Sequence, residues 1–267
     1  MVASAQGLDV SNYQGHFDWA ATTGLSFGCY RLTQGLGGQG TNSPDPDAGW
    51  NHTEIARKGL HRGAYHFLNP ALDGAVQARY FITEHRLLGL GDADMLWCDN
   101  ETPGPSPAET ARCAAAFMAE LEKLAPANPK GVYTFIDFAK EGNCDGLAAY
   151  PLWLAYPASA APVPPPPWHN WTFWQWGTRT GTDADAFNGT AAALNAWIAD
   201  FIVPPPQPQG FELVKGWWRT YDLQKIAASY GISEQLLVEL NPELHMWEGT
   251  GLPVHYSGRI RVPVAAP

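Results

Sequence analysis

Positive charge is scarce in this sequence. Lys and Arg together number 16 among 267 residues, against 26 Asp and Glu, so the formal net charge is -10 at pH 7. This balance argues against nucleic acid as a partner, because phosphates require a basic surface. Long apolar runs are also missing. None approaches the roughly 20 residues of a membrane-spanning helix, so we expect no membrane insertion.

Closely spaced cysteine pairs are absent as well. The four cysteines lie far apart along the chain, which argues against a zinc site and against a dense disulfide framework. We therefore expect reduced, mostly buried thiols, no bound metal and no other cofactor. The cysteines are Cys29, Cys98, Cys113 and Cys144.

A proline-rich segment divides the chain. Residues 203–210 read VPPPQPQG, and repeated prolines exclude a helix or a central strand there. We predict a domain of residues 1–203, a linker of residues 204–210 and a small module of residues 211–267. A second proline run, at residues 162–167, is interpreted as a loop within the first domain, since aromatic strand-like sequence resumes after it.

Short apolar runs alternate with helical patterns before this linker. Alternation over about 200 residues is typical of a parallel α/β domain, and eight strand candidates favour a barrel. The last strands have no helix between them, so we expect an irregular TIM-like (β/α) barrel. The predicted helices include Gly74–Leu88 and Pro107–Leu124, the second preceded by a capping box of Ser106 and Glu109. The predicted strands are Gly7–Val10, Phe27–Leu32, Gly63–Phe67, Met95–Asp99, Gly131–Phe135, Pro151–Ala155, Thr172–Trp176 and Asp185–Phe187.

The module after the linker has a different pattern. Strand-like Phe211–Val214 and Arg259–Val264 enclose two helical segments, Tyr221–Tyr230 and Ser233–Leu240. We predict a small βααβ domain.

Acidic side chains are concentrated at predicted strand ends. Alternate residues of a strand share a face, so Trp97, Asp99 and Glu101 point the same way, with the two acids about 7 Å apart along the backbone. Asp9 ends another strand, and Asp183 with Asp185 precedes the last one. A single Asp is more often a solvated residue or a helix cap. Several acids in one cleft are what glycosidic hydrolysis needs, namely a proton donor and a stabilising or attacking carboxylate.

Aromatic residues are plentiful beside these acids. The chain has 12 Trp and 10 Tyr, and flat rings can support the apolar faces of sugars. Most belong to the core, whereas five that lie near strand ends are candidates for the site. These are Tyr65, Tyr133, Trp153, Trp174 and Trp176. His66 is interpreted as a hydrogen-bonded structural residue rather than a catalyst.

Read together, eight segments in order resemble family 25 glycoside hydrolases, the Chalaropsis-type lysozymes found in phage endolysins. The segments are DVSNYQG at residues 9–15, RLTQG at 31–35, GAYHF at 63–67, DNE at 99–101, VYT at 132–134, LWLA at 152–155, WQW at 174–176 and DADAFNG at 183–189. The resemblance implies an irregular β/α barrel that hydrolyses the β-1,4 bond between N-acetylmuramic acid and N-acetylglucosamine in peptidoglycan.

The resemblance also implies roles for individual residues. Glu101 matches the general acid, and Asp9, Asp99 and Asp183 match acids around the scissile sugar. Asp99 would either attack directly or orient the substrate's acetamido group, and both routes retain configuration. We expect Asp9 and Asp99 to raise the pKa of Glu101. Substrate-binding positions are Tyr65, Gln34, Tyr133, Trp153, Gln175 and Trp176.

Three departures from the family pattern stand out. Gln34 replaces a frequent Glu, and Asn100 replaces an aliphatic residue. Tyr156 comes one position earlier than the usual Tyr, so no binding role is carried onto it.

The module is similar to a lysin motif (LysM), which binds N-acetylglucosamine-containing glycans. The matching pieces are FELVKG at residues 211–216, YDLQKIA at 221–227, LLVELNP at 236–242 and RIRVP at 259–263. Residues 217–220 are an insertion, and residues 244–257 form a longer stretch than usual. A packing or dimerising appendage is the alternative for the module.

These features suggest a phage endolysin. The first six residues lack the basic start and apolar stretch of a secretory signal, so we expect the protein to stay in the host cytoplasm until its release to the cell wall. Two alternatives remain open: a non-catalytic glycan-binding protein on a lysozyme scaffold, and a hydrolase of another N-acetylhexosamine polymer such as chitin. The oligomeric state is not indicated.

Overall fold

The chain divides into two compact units, Met1–Val203 and Pro204–Pro267. The structure is a computed structural model that describes residues 4–38, 43–202, 211–218, 225 and 256–263. In the part of the chain that it describes, no helix is long and apolar enough to cross a membrane.

The first unit is built on a closed barrel of eight strands in sequential order. Seven adjacent strands, from the first to the seventh, pair in parallel. The predicted α/β barrel is therefore confirmed. The strands are β1 (Gln6–Val10), β2 (Phe27–Gln34), β3 (His61–Phe67), β4 (Met95–Asp99), β5 (Lys130–Phe135), β6 (Leu152–Ala155), β7 (Phe173–Arg179) and β8 (Thr182–Phe187).

The expected irregularity lies at β8, which runs antiparallel to both of its neighbours, β7 and β1. Only Thr180 and Gly181 separate β7 from β8, and both have positive φ, 53° and 83°. A two-residue turn of this kind matches the twist of a hairpin, whereas a parallel crossover needs a dozen residues or more. The short connection therefore forces β8 to reverse direction.

Helices cover the outside of the barrel and one of its ends. They are α1 (Ala48–Arg57), α2 (Gly74–Leu88), α3 (Pro107–Leu124), the short α4 (Ile136–Phe138) running into a π-type turn (Ala139–Asn143), and α5 (Ala191–Ala199); single 3-10 turns occupy Asn12–Gln14 and Trp19–Ala21. Helices α2 and α3 have the predicted bounds, while α1 and α5 were not predicted. The Ser106 hydroxyl accepts the Glu109 N–H as expected, but the Glu109 carboxylate accepts from that hydroxyl instead of from the Ser106 backbone.

The barrel interior is dry and aromatic. Alternate residues point inward, and large rings fill the space over glycines that leave room for them: a Cβ on Gly131 would lie 2.4 Å from the Trp97 ring. Helix α5 closes the end at which the parallel strands begin. The buried interior residues include Phe27, Cys29, Met95, Trp97, Trp153, Phe173, Phe187, Leu194 and Ile198.

A second apolar layer lies between the barrel and helices α1 to α3. His66 is fully buried there, between the Thr33 hydroxyl at 2.8 Å and the Gln77 side-chain oxygen at 3.1 Å. Its predicted structural role is confirmed. All four cysteines are free and buried, as expected.

The second unit contains two described strands, β9 (Phe211–Trp218) and β10 (Tyr256–Pro263), which pair antiparallel. Both predicted strands are present; β9 ends at Trp218 rather than Val214, and β10 begins at Tyr256 rather than Arg259 and ends at Pro263. The predicted helices Tyr221–Tyr230 and Ser233–Leu240 lie outside the described residues, apart from Lys225.

Candidate active site

The predicted catalytic acids meet at one end of the barrel. Asp9 and Asp99 are the last inward-pointing residues of β1 and β4, and Glu101 follows β4 by two positions. Because β8 runs in the opposite direction, Asp183 near its start reaches the same end, in register with Asp9. An open cavity is lined by all four acids and by Val10, Ser11, Tyr13, Gln14, Arg31, Tyr65, Phe67, Tyr133, Trp153 and Gln175.

Asp9 is held by a short relay of hydrogen bonds. The Tyr133 hydroxyl donates to the Gln175 side-chain oxygen at 3.0 Å, and the Gln175 amide nitrogen donates to Asp9 Oδ2 at 2.9 Å. Asp9 is only 8% exposed. Burial, followed by the charge of Asp183, raises the pKa of Asp9 to about 7.

Asp99 lies in a similar position but with fewer partners. It is 6% exposed, and its Oδ1 has no hydrogen-bond partner among the described residues. Burial raises the pKa of Asp99 well above its usual value, and the charges of Glu101 and Asp9 add to the effect, while Arg31 opposes it. Asp99 and Asp9 therefore share a dry environment but differ in hydrogen bonding.

Glu101 is half-buried at the rim. Its pKa is raised by burial first and then by the charge of Asp183. Asp183 was not expected among these causes, and the strand pairing places it at the same mouth. The expected repulsion of Glu101 with Asp9 and Asp99 is found as a raised pKa of those two acids. Burial also raises the pKa of Asp183 itself. Four acids with raised pKa values cannot all be ionised at neutral pH, so the cavity can supply both a proton donor and a carboxylate.

A buried arginine sits among these acids. Arg31 Nε donates to Asp45 Oδ2 at 2.9 Å, a second guanidinium nitrogen bonds the Asn12 side-chain oxygen, and the guanidinium lies 5.4 Å from the Tyr13 ring centroid. Arg31 belongs to the RLTQG segment, but no role was predicted for it from the sequence. Its signal was the inward alternation of Phe27, Cys29 and Arg31 along β2, which puts a cation inside the barrel.

Three of the predicted substrate-binding aromatics line the cavity: Tyr65, Tyr133 and Trp153. Tyr65 donates its hydroxyl hydrogen to the Val10 carbonyl at 3.3 Å. Trp153 is 1% exposed, so it forms part of the floor rather than an open stacking face. Gln175 also lines the cavity, as predicted.

Gln34 and Trp176, two other predicted binding residues, are not in the cavity lining, and neither is Trp174. Along β7 the inward positions are Phe173 and Gln175. Trp174 therefore faces outward, where its indole donates to the Tyr156 carbonyl at 2.7 Å.

Trp176 falls in a β-bulge and packs against the outer apolar layer. Gln34 ends β2 after another register shift, and its N–H bonds the Ser43 hydroxyl. A sugar contact by Gln34 or Trp176 stays a prediction.

In the part of the chain that the structure describes, no group of three or more His, Cys, Asp or Glu side chains is arranged to hold a metal ion.

The raised pKa of Asp9 predicts a pH-dependent stability difference. Its folded pKa, about 7, lies above the ordinary value of 3.8, so its contribution to stability is fully present below pH 3.8 and is lost as pH rises through 7. D9N removes this loss. We expect the free energy of unfolding of D9N to exceed that of the parent at pH 8 by an amount on the order of a few kcal/mol, and to show little gain at pH 4.

Thermal unfolding at the two pH values measures this difference. D137N is the matched control, because the Asp137 side chain is 88% exposed. Equal shifts of D9N at pH 4 and pH 8 would mean that Asp9 titrates normally.

Known proteins are similar to this chain in sequence. Residues 8–189 match the family described as glycosyl hydrolases family 25. The chain is 31% identical to lysozyme M1 of Streptomyces globisporus, over 73% of this chain and 71% of that protein.

Two solved structures align with this chain over nearly their whole length. A bacterial lysozyme from Streptomyces coelicolor aligns with a TM-score of 0.65 and 28% identity, over 74% of this chain and 99% of that one. A muramidase from Trichobolus zukalii aligns with a TM-score of 0.66 and 25% identity, over 74% and 100% of the two chains. The chain therefore belongs to family 25 of the glycosyl hydrolases and is an enzyme of the lysozyme, or muramidase, class.

Proposed function

We propose that this enzyme is an N-acetylmuramidase that cleaves the β-1,4 bond between N-acetylmuramic acid and N-acetylglucosamine in bacterial peptidoglycan, with retention of configuration. The observation that carries the proposal is the meeting of Asp9, Asp99, Glu101 and Asp183 in one cavity above a dry aromatic floor. Membership of family 25 supplies the substrate class.

Glu101 is the proton donor in this proposal. It is the half-buried acid at the rim, and its raised pKa keeps it protonated to a higher pH than an ordinary Glu. Its proton passes to the glycosidic oxygen as the bond from that oxygen to the anomeric carbon breaks. The resulting carboxylate then takes a proton from the water that attacks the same carbon, so Glu101 returns to its acid form.

Asp99 is the group that meets positive charge at the anomeric carbon. It is buried, and one of its oxygens has no partner among the described residues. That oxygen is available either to attack the carbon or to accept the N–H of the substrate's acetamido group, whose own oxygen would attack instead. Each route has two successive displacements at the anomeric carbon, and each displacement inverts the configuration. The product therefore retains the configuration of the substrate. Asp9 and Asp183 complete the negative field around the scissile sugar.

The first test removes the proton donor. E101Q keeps the shape of the side chain but cannot release a proton, so clearing of purified cell walls should fall by roughly a hundredfold or more. E84Q on α2 is the matched control, since Glu84 lies outside the cavity lining, and it should clear walls at the parent rate. The role of Glu101 is lost if E101Q clears as fast as E84Q.

The second test identifies the bond and the stereochemistry. Mass spectrometry of soluble wall fragments should find N-acetylmuramic acid at the new reducing ends, and proton NMR at early times should find the β-anomer first. Reducing ends of N-acetylglucosamine, or equal cleavage of chitin oligomers, would instead favour a hydrolase of another N-acetylhexosamine polymer. An α-anomer appearing first would contradict retention.

We further propose that the chain is a phage endolysin whose second unit holds it on the wall. The division into two compact units and the antiparallel pair β9 and β10 are compatible with a LysM-like βααβ module after a proline-rich linker at residues 204–210. Such a tether would raise the local concentration of substrate at the barrel. The enzyme would be made in the host cytoplasm and reach the wall on release.

The inactive variant tests wall binding without cutting. Full-length E101Q should sediment with purified cell walls, and soluble N-acetylglucosamine oligomers should release it, if the module binds these glycans. Sedimentation that oligomers leave unchanged would indicate a module with a packing or dimerising role.

A further inference from the structure

A fifth acid lies below the cavity floor. Asp185 is in the middle of β8, in register with Gly7 on β1 and Gln175 on β7, and its side chain is inside the barrel with none of its surface exposed. It is not part of the cavity lining, so it does not reach the substrate. The four acids used in the proposed reaction leave it without a role.

Asp185 has no cation to balance a negative charge. None of the ion pairs between described side chains includes it. Its neighbours are the Cys29 thiol, the Trp153 indole and the Asp9 carboxyl. An isolated carboxylate in such a place costs several kcal/mol, and a buried acid usually avoids that cost by keeping its proton. Burial and the charge of Asp9 raise the pKa of Asp185 well above its ordinary value, in agreement with a neutral acid.

The hydrogen bonds indicate where that proton lies. Asp185 Oδ1 accepts from the Trp153 indole N–H at 2.8 Å, whereas Oδ2 receives no hydrogen from any described group. Asp185 and Asp9 are inward-facing neighbours on the antiparallel strands β8 and β1, where Asp185 is in register with Gly7 and Asp9 with Asp183, and each carboxyl affects the pKa of the other. Two adjacent carboxyls can share a hydrogen bond only if one of them carries the proton. Asp185 is the deeper of the two, and only its Oδ1 receives a hydrogen bond from a described group, so Oδ2 is the oxygen placed to carry a proton and donate it to Asp9.

Asp9 then sits between two donors. Gln175 donates from its amide nitrogen, which faces Asp9 because the Tyr133 hydroxyl bonds the amide oxygen. A protonated Asp185 would donate from below. Both bonds lower the pKa of Asp9 against the effect of burial. Two charge-assisted bonds from different directions also fix the rotamer of Asp9.

We propose that Asp185 is a positioning residue that works as a neutral carboxylic acid, donating its O–H to Asp9 so that this carboxylate stays ionised and correctly oriented. The Trp153 indole holds the other oxygen of Asp185 and so sets the direction of the proton. The inference rests on the proposed role of Asp9 in the reaction.

Two substitutions of Asp185 test the proposal. In D185N the amide oxygen accepts from Trp153 and the amide nitrogen donates to Asp9, so the conservative variant should keep kcat within about threefold of the parent. D185L has similar size but no donor. Its kcat should fall by about ten- to a hundredfold, the loss expected for one hydrogen bond to a charged group, with little change in KM. The acidic limb of its pH profile should move to higher pH, because Asp9 becomes harder to ionise.

Infrared difference spectroscopy gives a readout that needs no activity. The parent minus D185N spectrum at pH 8 should contain the carbonyl stretch of a protonated carboxylic acid. A carboxylate band in its place would overturn the proposal, and so would a D185N that loses as much kcat as a folded D185L. An unchanged kcat and pH profile in D185L would overturn it too.

If the proposed function fails, the result differs from the outcomes that overturn the role of Asp185. D9N measured alongside should be inactive whatever Asp185 does. If D9N clears walls at the parent rate, the role of Asp9 fails, while the infrared band still reports whether Asp185 is neutral.

Discussion

The site depends on the removal of water from beneath a group of carboxyls. A closed barrel sends every second side chain inward, and here the inward residues below the acids are large rings such as Trp97, Trp153 and Phe173. The dry floor destabilises negative charge. Burial is accordingly the largest cause of the raised pKa of each acid, from Asp9 to Asp185. Proton donation near neutral pH follows from packing as much as from the acids themselves.

The protein opposes this desolvation unequally, and the inequality separates the acids into roles. Asp9 receives the Gln175 amide and the proposed Asp185 proton, which favour its ionised form. For Asp99 the opposing influence is the charge of Arg31, which Asp45 and Asn12 hold in place, and one oxygen of Asp99 has no partner among the described residues. An unsatisfied buried oxygen costs stability in the free enzyme. That cost agrees with the role proposed for Asp99, in which the substrate supplies positive charge or a hydrogen-bond donor.

The reversed direction of β8 places acids at two depths of the barrel. Asp183 and Asp185 are two residues apart and share the inner face, yet they lie at different depths. Asp183 opens to the mouth, where it raises the pKa values of Glu101 and Asp9. Asp185 lies below, where it meets Trp153. A parallel eighth strand would place its early residues at the closed end, against α5, and neither acid could reach Asp9.

The sequence by itself determined the features that arise from local periodicity. Eight strands, the bounds of α2 and α3, and the shared face of Trp97, Asp99 and Glu101 follow from alternation, caps and apolar spacing, which depend on near neighbours. Helix α5 was missed because it is almost uniformly apolar and so has no clear amphipathic pattern. Helix α1 was missed because two residues of its buried face, Asn51 and His52, are polar, so apolar spacing alone does not reveal that face.

Only the tertiary structure decided which distant residues meet. The Gln175 bond to Asp9 joins groups 166 residues apart, and the bulge at Trp176 turns a predicted sugar platform toward the outer layer. The anchoring of Arg31 by Asp45, the influence of Asp183 on Glu101 and the isolation of Asp185 depend in the same way on strand register and on solvent exclusion. Strand register and solvent exclusion cannot be predicted from local spacing. Register is set by the closure of the whole barrel, and water is excluded by the side chains that fill it.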